Sequence, residues 1–250
     1  MRIKDGDSNP IPVCRSFGRK IMNDFPKLTP RLACASSLIR ASSFVADIGT
    51  DHAYLPIYLC LEGKARGAVA SDINAGPVER AEKNINKYGL SDKITVLQTD
   101  GLNGIQEYRP TDIMILGMGG ELISRIIEQA PWTKDESIQL CLQPMTHAEI
   151  LREFLTKNGY SIVDERLAQE EKIYQIILAK YTGLCEELSE AQLLLGKINA
   201  ARHDSAFISL AKRQIEILKR RAEGKKKANE DLTHEQSLIA EIKSMIGETT

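Results

Sequence analysis

The residues with most chemical potential in this chain are Asp47, Gly49, Asp51 and His52, inside the stretch FVADIGTDHAYLP at 44–56. An apolar run ends in a carboxylate, and a glycine turn then opens a second apolar run. An acid at the carboxyl end of a first parallel strand, followed by glycine, is how many α/β sheets receive a nucleoside-bearing cofactor. A dinucleotide fingerprint would need G-x-G-x-x-G, so that backbone can close on a diphosphate. Those three places read Gly49, Asp51 and Tyr54. Two glycines are missing, and a carboxylate stands where a diphosphate would approach. A cofactor that lacks phosphates and carries a positive centre suits this turn, and S-adenosylmethionine has both properties. Asp51 equally suits the N-cap of the following helix.

Two more acids extend the pattern. Asp72 closes VASD at the end of a second strand, where a carboxylate can accept both ribose hydroxyls; Asp100 closes a third in LQTDG, where an adenine amino group would lie. Three acids at three consecutive strand ends compose a site for a nucleoside. A fourth strand runs into Gly117–Met118–Gly119–Gly120, which either admits a ligand close to backbone or makes a plain tight turn into a helix. Gln143–Pro144 after the fifth strand offers the opposite wall of the cleft. Enzymes that methylate exocyclic amino groups carry an Asp/Asn-Pro-Pro-aromatic loop after the fourth strand. Its absence here points to an acceptor with its own lone pair, such as a ring nitrogen. Tyr54 is expected to pack beneath the turn. Five scattered cysteines (14, 34, 60, 141 and 185) and four dispersed histidines give no metal-ligand spacing, so no metal is expected.

The elements that must position these residues alternate. Strands are expected at Phe44–Ile48, Gly67–Ser71, Ile94–Gln98, Asp112–Leu116 and Ile138–Leu142. Helices are expected at Leu28–Arg40, Tyr54–Glu62, Gly76–Tyr88, Glu121–Gln129 and Ala148–Lys157. Tyr160–Leu167 and Ile173–Tyr181 are extended runs with only a charged turn between them, which requires an antiparallel hairpin. A parallel sheet finished by a reversed strand is the Rossmann-like methyltransferase architecture; a dehydrogenase sheet would add another parallel unit. From Leu184 onward, Leu188, Ala191, Leu195, Ile198, Ile208, Ile215 and Leu218 follow helical steps. A break is expected at Gly224 and Lys225–Lys227, with a second helix carrying Leu232, Ile239, Ile242 and Ile246. The fold class is therefore α/β, a Rossmann-like methyltransferase sheet with an antiparallel last strand, plus a coiled-coil-like C-terminal helical hairpin. The expected division is an extension over 1–27, a cofactor-binding domain over 28–182 and the hairpin over 183–250.

A net charge of −1 hides an asymmetry: residues 1–40 carry +5 and residues 202–227 carry +6. Basic segments flanking an acidic body suggest a polyanion held outside the cofactor pocket. The candidates are Arg202, Lys212, Arg213, Lys219, Arg220, Arg221, Lys225, Lys226 and Lys227, with the arginines over 15–31 as a second group. No long apolar run or signal core is present, so a cytoplasmic protein with no membrane partner is expected.

DIGTDHAYLP, NAGP (74–77), TDGL (99–102), GMGG (117–120), LQP (142–144) and the terminal helices resemble the bacterial tRNA adenine-N1-methyltransferases called TrmK, which act on adenine 22. The resemblance runs from about Leu28 to near the C-terminus. That family usually has serine where Thr50 stands, and often asparagine where Met145 follows Gln-Pro. The resemblance implies that Asp47, Gly49, Asp72, Asp100, Gly117 and Gly119 hold S-adenosylmethionine; Ile73, Gly101, Met118, Gln143 and Pro144 are further candidates beside them. It also implies that Asp51 and His52 face the target base and that tRNA is the partner; a monomer is expected, with dimerisation through the helical hairpin as the alternative. Two other readings stay open on the residues alone: a methyltransferase with another RNA or small-molecule acceptor, and a non-catalytic RNA-binding protein with a methyltransferase-like fold.

Overall fold

The computed structural model describes residues 25–248, so the expected extension up to residue 24, with Arg15, Arg19 and Lys20, lies outside the described residues. The order is α1 (Pro30–Leu38), β1 (Ser43–Ile48), α2 (Tyr54–Leu61), β2 (Ala65–Asp72), α3 (Ala75–Lys87), β3 (Ile94–Gln98), β4 (Asp112–Gly119) and α4 (Gly120–Glu128). β5 (Gln139–Thr146), α5 (Ala148–Lys157), β6 (Tyr160–Gln169) and β7 (Ile173–Tyr181) follow, and then α6 (Glu190–Leu195), α7 (Lys197–Arg202), α8 (Ser205–Lys227) and α9 (Thr233–Met245).

The seven strands form one sheet in the order β3-β2-β1-β4-β5-β7-β6. β1 to β5 run parallel, and β7 inserts antiparallel between β5 and β6. Strands covered on both faces must be apolar throughout, and successive side chains then divide between two cores. Val45 and Met114 join Ala35, Ile57 and Leu59 on one face, whereas Ala46, Ile113 and Ile115 join Ile123, Ile127 and Leu151 on the other. Ile48 pairs with Ser71, and Asp72 with Gln98, so β1, β2 and β3 end at one edge.

β4 and β5 run further than the apolar pattern predicts. Their pairing continues through Met118–Pro144 and Gly119–Thr146 with two register shifts, so most of the glycine-rich segment is irregular strand rather than a turn.

The C-terminal region also departs from expectation. Leu184 is in no helix and is 70% exposed. The helical run is divided at Gly196 (φ +88°) and His203 (φ +50°), and Gly224 does not break α8, which continues to Lys227. Glycine costs only about 1 kcal/mol in a helix, and lysines at 225–227 complement the negative C-terminal end of the helix dipole. The chain turns back over residues 228–232, and the ion pairs Lys225–Glu235 and Lys212–Glu248, near opposite ends of α8, show that α8 and α9 run antiparallel. Ala191, Leu195, Phe207, Ile215, Leu218, Leu238 and Ile242 form their own buried cluster, against which Leu167 and Ile173 pack from β6 and β7.

A buried network joins these helices to the sheet. Arg152 Nε of α5 donates to Glu165 Oε1 of β6 at 2.7 Å, its Nη1 to the Leu193 carbonyl and its Nη2 to Gln175. The other Glu165 oxygen accepts the backbone N–H of Ile198 at 2.9 Å.

Candidate functional site

Two cavities open at the carboxyl ends of the strands, and Gly49 lines both. One, of about 280 Å³, is lined by Asp72, Ile73, Asp100, Gly101, Met118 and their neighbours. The other, of about 240 Å³, holds Asp47, Asp51, His52, Tyr54 and Arg31. The structure thus brings together the three strand-end acids and the residues of the first motif. The groups between the two cavities decide what they accept.

Gly49 has φ +77°, and a Cβ there would stand 2.1 Å from Met118 Cε. Any larger residue would strain the backbone and push Met118 aside. Asp47 is nearly closed to solvent; burial pushes its carboxyl up to about 6, with the Thr50 hydroxyl working against that shift. A buried carboxylate facing a cavity is stabilised by a cationic ligand group and opposed by an anionic one. Asp72 Oδ1 accepts the Asn74 backbone N–H at 2.7 Å and its side-chain amide at 3.2 Å, which fixes the carboxylate at the end of β2. Ile73 beside it is 57% exposed, an apolar ledge on the cavity wall. Two acids and an apolar ledge suit a ribose and a purine. The residues present therefore fit S-adenosylmethionine: Asp47 suits an amino group, and Asp72, Ile73 and Asp100 suit a nucleoside.

Asp51 does not cap α2. The Ala53 N–H is taken by Thr50 Oγ1 at 3.2 Å, and Ala53 itself is the left-handed residue that starts the helix (φ 54°). Asp51 instead accepts from Arg80 Nε of α3 at 3.0 Å, while His52 Nε2 lies 3.2 Å from its other oxygen. Asn84, one turn beyond Arg80, donates to the His52 carbonyl at 3.0 Å. Tyr54 is not packed beneath the turn: it is 38% exposed and stacks on His52 at 5.1 Å, 10° from parallel. An imidazole and a phenol ring at the mouth of the cavity make a surface for a planar base.

In the glycine-rich segment, Gly120 serves the fold, since a Cβ there would collide with the His147 carbonyl oxygen at 2.1 Å. Met118 lines the cavity of Asp72 and Asp100, a Cβ at Gly117 would stand 3.3 Å from Arg31 Nη1, and Gly119, where a Cβ would meet Thr146 Oγ1 at 3.3 Å, lines neither cavity. Gln143 is buried, and its Oε1 accepts from Arg31 Nη1 at 2.8 Å; Pro144 is buried next to it.

Arg31, Arg80 and Asn84 are site residues whose roles the sequence pattern did not single out. Arg80 and Asn84 carry one legible signal, an i,i+4 polar pair on the helix after the second strand. Arg31 is legible only as one of the arginines over 15–31; its seat at the cavity depends on the distant partners Glu170 and Gln143.

The basic candidates divide in two. Arg202 is bound to Asp164 and the Glu165 carbonyl, Lys212 to Glu248, Lys219 to Glu216 and Lys225 to Glu235. Arg213, Arg220, Arg221, Lys226 and Lys227 make no ion pair among the described residues. Among those residues no helix is long and apolar enough to cross a membrane, and no group of three or more His, Cys, Asp or Glu side chains is placed to hold a metal.

Sheet order, reversed β7 and acid-lined strand ends together define a Rossmann-like methyltransferase. Residues 45–247 match the family model TrmK, described as tRNA (adenine(22)-N(1))-methyltransferase, and the chain belongs to that family. It is similar to the tRNA (adenine(22)-N(1))-methyltransferase of Bacillus subtilis, with 35% identity over 88% of this chain and 87% of that one. A Streptococcus pneumoniae protein crystallised with S-adenosyl-L-methionine superposes with a TM-score of 0.79 at 29% identity, covering 88% of this chain and all of that one. TrmK of M. capricolum, in complex with S-adenosyl-homocysteine, superposes with a TM-score of 0.74 at 26% identity, covering 88% and 98%.

Proposed function

We propose that this protein transfers the methyl group of S-adenosylmethionine to N1 of adenine 22 in tRNA. The supporting observation is the pair of acid-lined cavities meeting at Gly49, in a chain that matches the tRNA adenine-N1-methyltransferase family over residues 45–247. The cofactor supplies an electrophilic methyl on a sulfonium, and the N1 lone pair needs no base to attack it. Methyl passes to nitrogen, the bond to sulfur breaks, and the positive charge moves onto the purine. The chain has to align the three atoms and favour the charge where it arrives.

Asp51 is the group we assign to the second task. Its carboxylate stands at the mouth of the cavity, oriented by Arg80 and His52, and accepts a hydrogen bond from the adenine N6 amino group. His52 and Tyr54 face the base. Asp47, Gly49, Asp72, Ile73, Asp100, Gly101, Gly117, Met118, Gly119, Gln143 and Pro144 hold the cofactor in this reading. N1 lies on the Watson–Crick edge, so the base enters unpaired or extruded.

Residues 28–182 serve as the methyltransferase unit in this division, and the basic helices after 183 hold tRNA. The protein acts as a monomer in the cytoplasm.

The test is incubation of the purified chain with methyl-labelled S-adenosylmethionine and unmodified tRNA, then nucleoside analysis. Label in 1-methyladenosine, lost when adenine 22 is replaced by guanine, is the expected result. Label in another nucleoside, or none, would refute the assignment.

A further inference from the structure

A third depression, of about 250 Å³, lies between the β5–α5 junction, the start of β7 and α8. Pro144, Met145, Lys172, Tyr174, Arg213 and Ile217 line it. It adjoins the methyl-transfer cavity through Arg31, which lines that cavity and places its guanidinium 5.3 Å from the centre of the Tyr174 ring. Lys172 also approaches that ring, at 5.1 Å. Gln175, also in the groove lining, accepts from the buried Arg152 at 2.7 Å.

The α8 side of this groove extends as a charged line. Residues seven apart on a helix return to nearly the same direction, drifting by about 20°. Arg213, Arg220 and Lys227 have that spacing, all three are exposed, and none is in an ion pair among the described residues. At about 1.5 Å per residue they span roughly 21 Å from the groove toward the end of α8. Lys212 and Lys219, about 100° round the helix from Arg213 and Arg220, are the ones held by Glu248 and Glu216. Arg221, also unpaired and about 80° round from Arg213, shares the groove side with Arg213, Arg220 and Lys227, whereas the paired Lys212 and Lys219 lie on the adjoining side and the unpaired Lys226 faces away.

We propose that this groove seats the RNA strand flanking the target adenine, and that Arg213, Arg220 and Lys227 carry its phosphates along one side of α8. The proposal rests on the tRNA reading above and adds which face of the helix meets RNA. Apolar and aromatic walls at Met145, Tyr174 and Ile217 suit an unstacked base, and the line of cations suits a backbone.

Two double variants of the full chain, equal in charge removed, separate this from general attraction: Arg213→Gln with Arg220→Gln, and Lys212→Gln with Lys219→Gln. Filter binding to unmodified tRNA over a salt series, tRNA KM and cofactor affinity are measured for each, with circular dichroism to check folding. The arginine pair should weaken tRNA binding and raise KM at least tenfold. It should also reduce the salt slope by roughly 1 to 2, at about 0.9 per phosphate contact. Its kcat at saturating tRNA and its cofactor affinity should stay within twofold of wild type. The lysine pair should change tRNA binding by less than about threefold. Equal loss in both pairs, or no loss in the arginine pair, would overturn the proposal while leaving methylation of tRNA intact. Wild-type protein that methylates no tRNA would overturn the function itself.

Discussion

Arg80 Nε on α3 donates to Asp51 Oδ1 at 3.0 Å, so the carboxylate at the mouth of the cavity that holds Asp47 is oriented from a helix one strand away. Both side chains are largely exposed, and an exposed pair contributes little to stability. Its value lies in aiming the carboxylate.

Asp51→Ala should therefore lower kcat about a hundredfold to a thousandfold, the scale on which one preorganised electrostatic contact acts. Cofactor affinity, read by calorimetry, should stay within about tenfold, or roughly 1.4 kcal/mol. Arg80→Ala, which leaves the carboxylate present but unaimed, should fall between wild type and Asp51→Ala in kcat. Loss of cofactor affinity as large as the loss of turnover would assign Asp51 to cofactor binding instead.

Gly49→Ala tests the wall between the cavities. The added Cβ meets Met118 Cε and a φ of +77°, at a backbone cost of about 1–2 kcal/mol. Stability in urea should drop by that amount only, because the Met118 terminus can swing away. The displaced thioether then enters the nucleoside cavity, and S-adenosylmethionine affinity should fall more than tenfold. Unchanged affinity would mean that Met118 does not border the nucleoside.

Asp47 makes stability depend on pH with an unusual sign. Its carboxyl titrates near 6 when folded and near 3.8 when unfolded, so the folded chain holds the proton more tightly. This contribution to folding is fully present below about pH 4 and is lost as pH rises through 6, a change of roughly 3 kcal/mol. Asp47→Asn removes the titration. The variant should gain stability relative to wild type by about that amount between pH 4 and pH 7, measured by urea unfolding without cofactor. The same substitution should weaken S-adenosylmethionine binding at pH 7, and wild-type affinity should rise with pH up to about 6. A flat difference between the two proteins across this range would contradict a buried, cavity-facing carboxylate.

Arg152→Met leaves Glu165 charged and buried without its partner. Breaking such a pair costs about 3–5 kcal/mol, and equilibrium unfolding should show a loss of that size. Because Glu165 also accepts the Ile198 N–H, α6 and α7 should gain amide exchange before the sheet does. Uniform exchange across the chain would show that the network does not tie these helices to β6.

The sheet was largely legible because its signals are local. β3, α5 and β7 begin and end where the apolar runs predict, and the missing glycines at Asp51 and Tyr54 separated a sulfonium nucleoside from a dinucleotide. Features set by distant contacts were not legible. Gly196 separates α6 from α7 at φ +88° and lies so close to Glu165, 31 residues earlier in the chain, that a Cβ there would strike its carboxylate. Tyr54 lies on His52 rather than in the core, a choice that composition does not show. The nine basic candidates could not be ranked until their acidic partners were placed: Glu248 meets Lys212 only because α9 folds back along α8.

The central claim is that the strand ends form an acid-lined, phosphate-free site for a sulfonium nucleoside. Calorimetric titration of the purified chain with S-adenosylmethionine, alongside a nicotinamide dinucleotide and the Asp72→Ala variant, tests it most directly. Saturable heat with S-adenosylmethionine, at least tenfold weaker in Asp72→Ala, and none with the dinucleotide is the predicted result. Silence with S-adenosylmethionine together with tight uptake of the dinucleotide would contradict it.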